Sequence, residues 1–65
     1  MSHNRIKDLR ERRGLTQIEL SKISDVSRAT IAALETGKRP RIRPGTRAKL
    51  ARALRVKPHE LMKGE

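Results

Sequence analysis

The 65-residue chain contains no cysteine and no aromatic residue. Without cysteine, disulfides and thiolate metal sites are excluded, so packing alone must hold the fold. Without Phe, Tyr or Trp, the stacking platforms used by sequence-specific RNA modules and single-strand binders are missing. The longest apolar run, residues 31–34, falls far short of the roughly 20 residues that span a bilayer. Nothing near the N-terminus has the form of a signal peptide, so a cytoplasmic location without membrane contact is expected. Acidic residues are scarce, and there is none between Glu35 and Glu60.

Catalysis and metal binding find little support. His3 and His59 are far apart in sequence and read as solvent-exposed side chains. No histidine stands beside a nucleophile, no carboxylates pair, and no glycine-rich loop could cradle a phosphate. Asp8 and Glu11 share a helix face, but neighbouring arginines explain them as surface pairs. No enzymatic activity, cofactor or metal is expected.

What the chain does have is positive charge. Lys and Arg number 17 against 7 Asp and Glu, a formal charge of +10. Such a chain repels itself and gains by releasing counterions from a polyanion. The N-terminal part mixes signs, with Asp8 and Glu11 among Arg5, Lys7, Arg10, Arg12 and Arg13. Residues 38–57 carry only positive charge, at Lys38, Arg39, Arg41, Arg43, Arg47, Lys49, Arg52, Arg55 and Lys57. One basic side centred there is expected. At this length the chain has room for one domain, residues 1–65, with a small local core.

Apolar spacing and helix-end residues predict an all-α chain of five helices. The first covers residues 4–13, with Asn4 as cap, Ile6 and Leu9 inward, and Gly14 ending it. Thr16 then caps a second helix, 17–24, and Glu19 stands three residues later at capping-box spacing. Leu20 faces inward there, with small Ser21 and Ser24 beside it. Asp25 breaks that helix, since Asp tolerates a left-handed backbone. Ser27 caps a third helix, 28–35, with Ile31 and Leu34 inward, closed by Thr36-Gly37. The next stretch, 38–44, has two prolines and reads as an extended loop. A fourth helix, 45–54, begins at Pro44 or Gly45 and turns Ala48, Leu50, Ala51 and Leu54 inward. Pro58 opens a short fifth helix, 58–62, anchored by Leu61, and residues 63–65 read as a frayed tail.

Residues 17–35 carry the functional signal. They form two short helices joined by a tight turn at Asp25-Val26. Ser21 allows their close approach, and Leu20, Val26, Ile31 and Leu34 fill the wedge between them. The outer face of the second of these helices is left free, and a helix of that diameter fits the major groove of B-DNA.

Gly14-Leu15-Thr16-Gln17, Leu20, Val26-Ser27, Thr30-Ile31, Leu34-Glu35 and Gly37 resemble the phage repressor and Cro-type helix-turn-helix family, also called the xenobiotic-response-element family. Residues 49–54 (KLARAL) and 56–61 (VKPHEL) are similar to that family's last two helices. The resemblance covers residues 4–62. It implies a compact five-helix, lambda-repressor-like domain whose third helix lies in the major groove of double-stranded DNA. Arg28 and Ala29, with Ala32 and Ala33 one turn on, would then face base edges. Gln17 would donate to a phosphate from the start of the second helix, with Thr16 beside it. Ser27 and Thr30 would reach phosphate or base, and Thr36, Lys38, Arg39, Arg41 and Arg43 would line the backbone. Arg10 and Glu35 occupy positions that pair in repressors resembling this chain. Glu35 lies one turn beyond Ile31, on the inward side, where an unpaired carboxylate is costly. The implied partner is a near-palindromic operator bound by a homodimer that forms at least on DNA. The implied role is a regulator, in particular a repressor, associated with the nucleoid.

Departures from the family pattern also bear on function. Asp25 stands where glycine is usual, at about 1 kcal/mol if its backbone is left-handed. Ile18 and Ile23 stand at usually polar positions. They either form an exposed patch facing a protein partner or tuck against the first or fourth helix. Ala29, Ala32 and Ala33 offer no hydrogen bonds, only methyl contacts to thymine, so direct readout rests on Arg28, which suits guanine. An arginine at 39, 41 or 43 could also enter a narrow minor groove. Alternatives on the same fold are an antitoxin that also binds a partner protein and a restriction-modification controller that regulates its own operon. Non-specific packaging needs only charge and does not account for the recognition-helix framework.

Overall fold

Hydrogen-bond chemistry at the helix ends sets where each element starts and stops. The computed structural model describes residues 4–38 and 41–62. His3, Arg39 and residues 63–65, all assigned above, lie outside the described residues. The described chain forms α1 (Ile6–Arg12), α2 (Gln17–Ser24), α3 (Arg28–Thr36) and α4 (Pro44–Leu54), followed by a 3-10 helix (Pro58–Met62). It contains no strand among the described residues. The all-helical expectation holds, but the fifth element is a 3-10 helix and not an α-helix.

The first helix is shorter than the spacing predicts, because Asn4 works outside it. Its Oδ1 accepts the Ile6 N–H at 3.1 Å, and its Nδ2 donates to the Leu34 carbonyl at 2.9 Å. Asn4 thus ties the start of α1 to the last turn of α3. The Arg5 N–H donates to the Leu61 carbonyl at 2.7 Å, adding a tie to the 3-10 helix. Gly14 then ends α1 at φ 68, a left-handed conformation that glycine adopts without a Cβ clash. The Gly14 N–H reaches back to Glu11 and the Leu15 N–H to Arg10, closing the last turn.

The capping box that opens α2 is formed as expected. Thr16 Oγ1 accepts the Glu19 N–H at 3.0 Å, and Glu19 Oε1 accepts the Thr16 N–H at 2.8 Å. Asp25 ends α2 with φ 61 and ψ 32, the left-handed conformation its position requires. Ser24 is buried and its Oγ accepts the Val26 N–H at 3.2 Å, which braces the turn. Ser27 caps α3 by accepting the Thr30 N–H at 3.1 Å. The helix runs one residue further than predicted, to Thr36, and stops at Gly37 with φ 84.

Pro44 is the first residue of α4, where its missing N–H costs nothing. Arg43 before it is extended, as a residue preceding proline should be. The inward assignment of Ala48 is overturned, since Ala48 is exposed. It lies two residues before Leu50, about 160° away around the helix, on the far side from the buried face. The end of α4 falls at Arg55, also left-handed at φ 58. In the 3-10 helix the Lys57 carbonyl accepts the Glu60 N–H at 2.9 Å, while the Glu60 carboxylate accepts the Lys57 N–H at 2.8 Å. That reciprocal bond closes a tight single turn, which explains the 3-10 geometry.

The core is wholly aliphatic. Ile6, Leu20, Ile31, Leu34, Leu50, Leu54 and Leu61 are completely enclosed, and Leu9, Val26, Ile42 and Ala51 complete the cluster. Ile42 is only 5% exposed and pins a loop whose composition by itself predicts no more than an extended segment. Ile18 and Ile23 are 54% and 57% exposed, so neither tucks against α1 or α4. They stand five positions apart, about 140° around α2, so they do not form one patch.

Candidate nucleic-acid interface

The outer side of α3 follows from which of its residues the core takes. Ile31, Leu34 and Glu35 are buried and define the inner arc. At about 100° per residue, Ala29, Ala32, Ala33 and Thr36 fall on the opposite side. Ala29 and Thr36 are exposed, and Ala32 and Ala33 are half-buried. This face has no side chain longer than threonine, so another molecule can approach the helix backbone closely.

Arg28 sits at the edge of that face. It is exposed and lines an open cleft of about 280 Å³ together with Arg10, Thr16, Gln17 and Ile18. The starts of α2 and α3 therefore meet at one concave site. Nothing in the sequence spacing placed Ile18 beside Arg28; the crossing of the two helices does.

Beneath the cleft is a polar hub built on Glu35. Arg10 Nε donates to Glu35 Oε2 at 2.7 Å, and Arg10 Nη2 donates to Oε1 at 3.0 Å. Gln17 Nε2 donates to Oε1 at 3.0 Å, and Arg10 Nη1 donates to the Leu15 carbonyl at 2.7 Å. The Glu35 and Arg10 side chains are only 2% and 11% exposed. The hydrogen bond that Arg10 donates to Glu35 raises the Arg10 pKa above its ordinary value, against the opposing effect of burial. Three helices thus converge on one carboxylate. The Gln17 amide, which the resemblance directs at a phosphate, is engaged inside the protein.

Other hydroxyls near the site are partly engaged. Ser27 Oγ donates to Thr30 Oγ1 at 2.8 Å, and Thr36 Oγ1 donates to the Ala33 carbonyl at 3.3 Å. At the turn between α2 and α3, Lys49 Nζ lies 3.6 Å from Asp25 Oδ2. Past α3, Lys38, Arg41 and Arg43 are exposed, while Ile42 between the last two is buried. Arg39 falls outside the described residues. Sequence reasoning missed the Ile42 anchor and the Arg47 side chain that folds onto it. The signal for Ile42 was present: proline aside, it is the one apolar residue between Leu34 and Ala48.

Among the described residues, no group of three or more His, Cys, Asp or Glu side chains could hold a metal ion. No helix there is long and apolar enough to cross a membrane.

Comparison with known proteins gives two findings. A helix-turn-helix family model matches residues 6–61, nearly the whole chain. An uncharacterized HTH-type transcriptional regulator of Bacillus subtilis, RghRB, is 42% identical over 57 residues. That match covers 88% of this chain but 41% of the relative, so the chain spans about two fifths of that protein's length. No solved structure matches the chain significantly.

Proposed function

This chain belongs to the helix-turn-helix family, and from that premise we propose that it binds double-stranded DNA sequence-specifically and regulates transcription. The observation that carries the proposal is the free, small-residue face of α3, bordered by Arg28 on one side and by exposed Lys38, Arg41 and Arg43 beyond its end. In this reading α3 lies in the major groove. Arg28 reads a guanine through paired hydrogen bonds, and Ala29, Ala32 and Ala33 meet thymine methyls. Thr16, Ser27, Thr30, Thr36, Lys38, Arg39, Arg41 and Arg43 hold the phosphates. The Gln17 amide either leaves Glu35 to meet a phosphate or holds α2 in place from within.

A single copy covers one half-site. Two copies on a near-palindromic operator, with half-sites about one turn apart, form a dimer on the DNA through the 40s loop and residues 56–61. A protein bound across such a site blocks others from it, so repression is the expected outcome. That role belongs in the cytoplasm, at the nucleoid. The domain is residues 1–65, and binding requires no cofactor and no chemistry on the DNA. An antitoxin role would add a protein partner, and the separation of Ile18 from Ile23 leaves that reading without a joint apolar patch; a controller role would need only the DNA of its own operon.

The test is selection of bound sequences from a random duplex library at about 150 mM salt, where non-specific phosphate binding is weakened. A two-fold symmetric motif with a guanine in each half is expected. Recovery of no motif overturns sequence-specific binding.

A further inference from the structure

The segment joining α3 to α4 carries arginines that the proposed DNA reading needs, and two features hold it. The first is Ile42, sunk in the core. The second is Arg47, in the first turn of α4. Its side chain folds back so that Nη2 donates to the Ile42 carbonyl at 3.3 Å. Its backbone N–H donates to the Arg43 carbonyl at 2.8 Å. That backbone bond is the first turn of α4 and does not depend on the side chain, so the guanidinium itself holds the segment at one carbonyl, that of Ile42.

The Arg47 Nε is buried and has no hydrogen-bond partner among the described residues. An unmet buried donor costs about as much as one good hydrogen bond returns, so the guanidinium adds little net stability. What it supplies is geometry. In an extended segment, alternate side chains point to opposite sides. With Ile42 turned inward, Arg41 and Arg43 both stay exposed.

We propose that Arg47 is a positioning residue for the DNA-backbone interface. It fixes the 41–43 segment so that Arg41 and Arg43 meet phosphates, and it does not itself contact DNA. The proposal rests on the DNA-binding reading above.

The test is a double-mutant cycle on the full chain, with Arg47→Met in the wild type and in an Arg41→Ala/Arg43→Ala background. Affinity is measured on the selected duplex from about 50 to 200 mM salt, with thermal unfolding alongside. In the wild type, Arg47→Met is expected to weaken binding about tenfold at 150 mM salt and to flatten the log–log salt slope by about 1–2, the equivalent of up to two phosphates. The melting temperature should stay within about 3 °C. In the Arg41→Ala/Arg43→Ala background the same substitution should change affinity less than about twofold. An equal loss in both backgrounds overturns the proposal, because Arg47 then acts through its own charge. No loss in either background overturns it as well. If Arg47→Met does not fold, Arg47→Lys enters the same cycle, since an ammonium lacks the planar fork. If selection yields no motif, the DNA-reading proposal fails, and the cycle runs on a random duplex at about 50 mM salt, where phosphate contacts alone carry binding.

Discussion

Replacing Glu35 by glutamine removes one charge from the hub and almost no volume. Glu35 accepts two hydrogen bonds from Arg10 and one from Gln17, and its side chain is 2% exposed. Glutamine keeps one acceptor oxygen but turns an NH2 toward donors, and it leaves the Arg10 guanidinium charged and enclosed. Breaking one side of such a buried pair costs about 3–5 kcal/mol. A chain of this length has roughly 3–10 kcal/mol in total, at 0.05–0.15 per residue. The variant should therefore lose a third or more of its stability. At about 4–8 °C per kcal/mol for small domains, the melting temperature should fall by roughly 12–40 °C. The compensating variant is Arg10→Met with Glu35→Leu, which removes both charges and fills the space. Apolar replacement of a whole buried pair is about neutral or stabilising, but this one also strips the Leu15 carbonyl and the Gln17 amide of their partners, so the double variant should regain part of the loss. Urea unfolding followed by circular dichroism measures all of these proteins. A Glu35→Gln variant within about 0.5 kcal/mol of wild type refutes the hub as a strut. A double variant as weak as the single refutes the claim that the stranded charge is the cause. The pKa of Arg10 is raised, so its contribution is complete below the unfolded-state value and is lost only as pH rises through the folded one, far above neutrality. The Arg10 contribution should stay constant between pH 6 and 9.

Other perturbations probe the turns and the reading residue. Thr16→Ala deletes the cap of α2 and should cost about 1 kcal/mol by chemical denaturation, whereas no loss argues that the capping box adds nothing. Arg55→Gly relieves a left-handed non-glycine residue that has no ion pair among the described residues, and a net gain of about 0.5 kcal/mol is expected after the added freedom of the unfolded chain. A lower melting temperature contradicts that account. Arg28→Ala should cost about 1–3 kcal/mol on the selected operator and relax preference at one base pair of each half-site. A loss spread evenly over all sequences removes Arg28 from the readers.

Residues with local chemistry were legible in the sequence. Thr16 with Glu19, Ser27, Gly37 and Pro44 announce helix ends because their side chains or backbones act within a few positions of themselves. The boundaries of α2 match residue for residue on that basis. Apolar spacing likewise gave Leu20, Ile31, Leu34, Leu50 and Leu54 as core. Long-range partners were not legible. Asn4 looks like an ordinary cap, and its bond to the Leu34 carbonyl crosses thirty positions. Gln17 reads as a surface donor until the packing of α2 on α3 brings Glu35 within 3.0 Å. Ala48 was misplaced because alanine fits either face of a helix, so composition cannot orient it. Ile18 and Ile23 were ambiguous for the opposite reason: apolar residues are drawn inward, but the inner face of α2 is already filled by Leu20 and Ser24.

The alanine-rich face of α3 and the charge of the chain constrain each other. Ala29, Ala32 and Ala33 present no donor or acceptor from their side chains, so on the proposed reading base-edge hydrogen bonds come chiefly from Arg28. Methyl contacts discriminate weakly, and one bidentate pair supplies about 1–3 kcal/mol of discrimination. Affinity must therefore come mainly from phosphates, which the exposed arginines beyond α3 are suited to hold. Phosphate contacts do not distinguish sequences, so they raise specific and non-specific binding together. Selectivity then depends on holding those arginines in one register with Arg28. The burial of Ile42, the proposed positioning of residues 41–43 by Arg47, and the Glu35 hub that ties α2 to α3 would serve that register. A looser domain with the same charges would still bind DNA, but it would lose the ability to choose among sites.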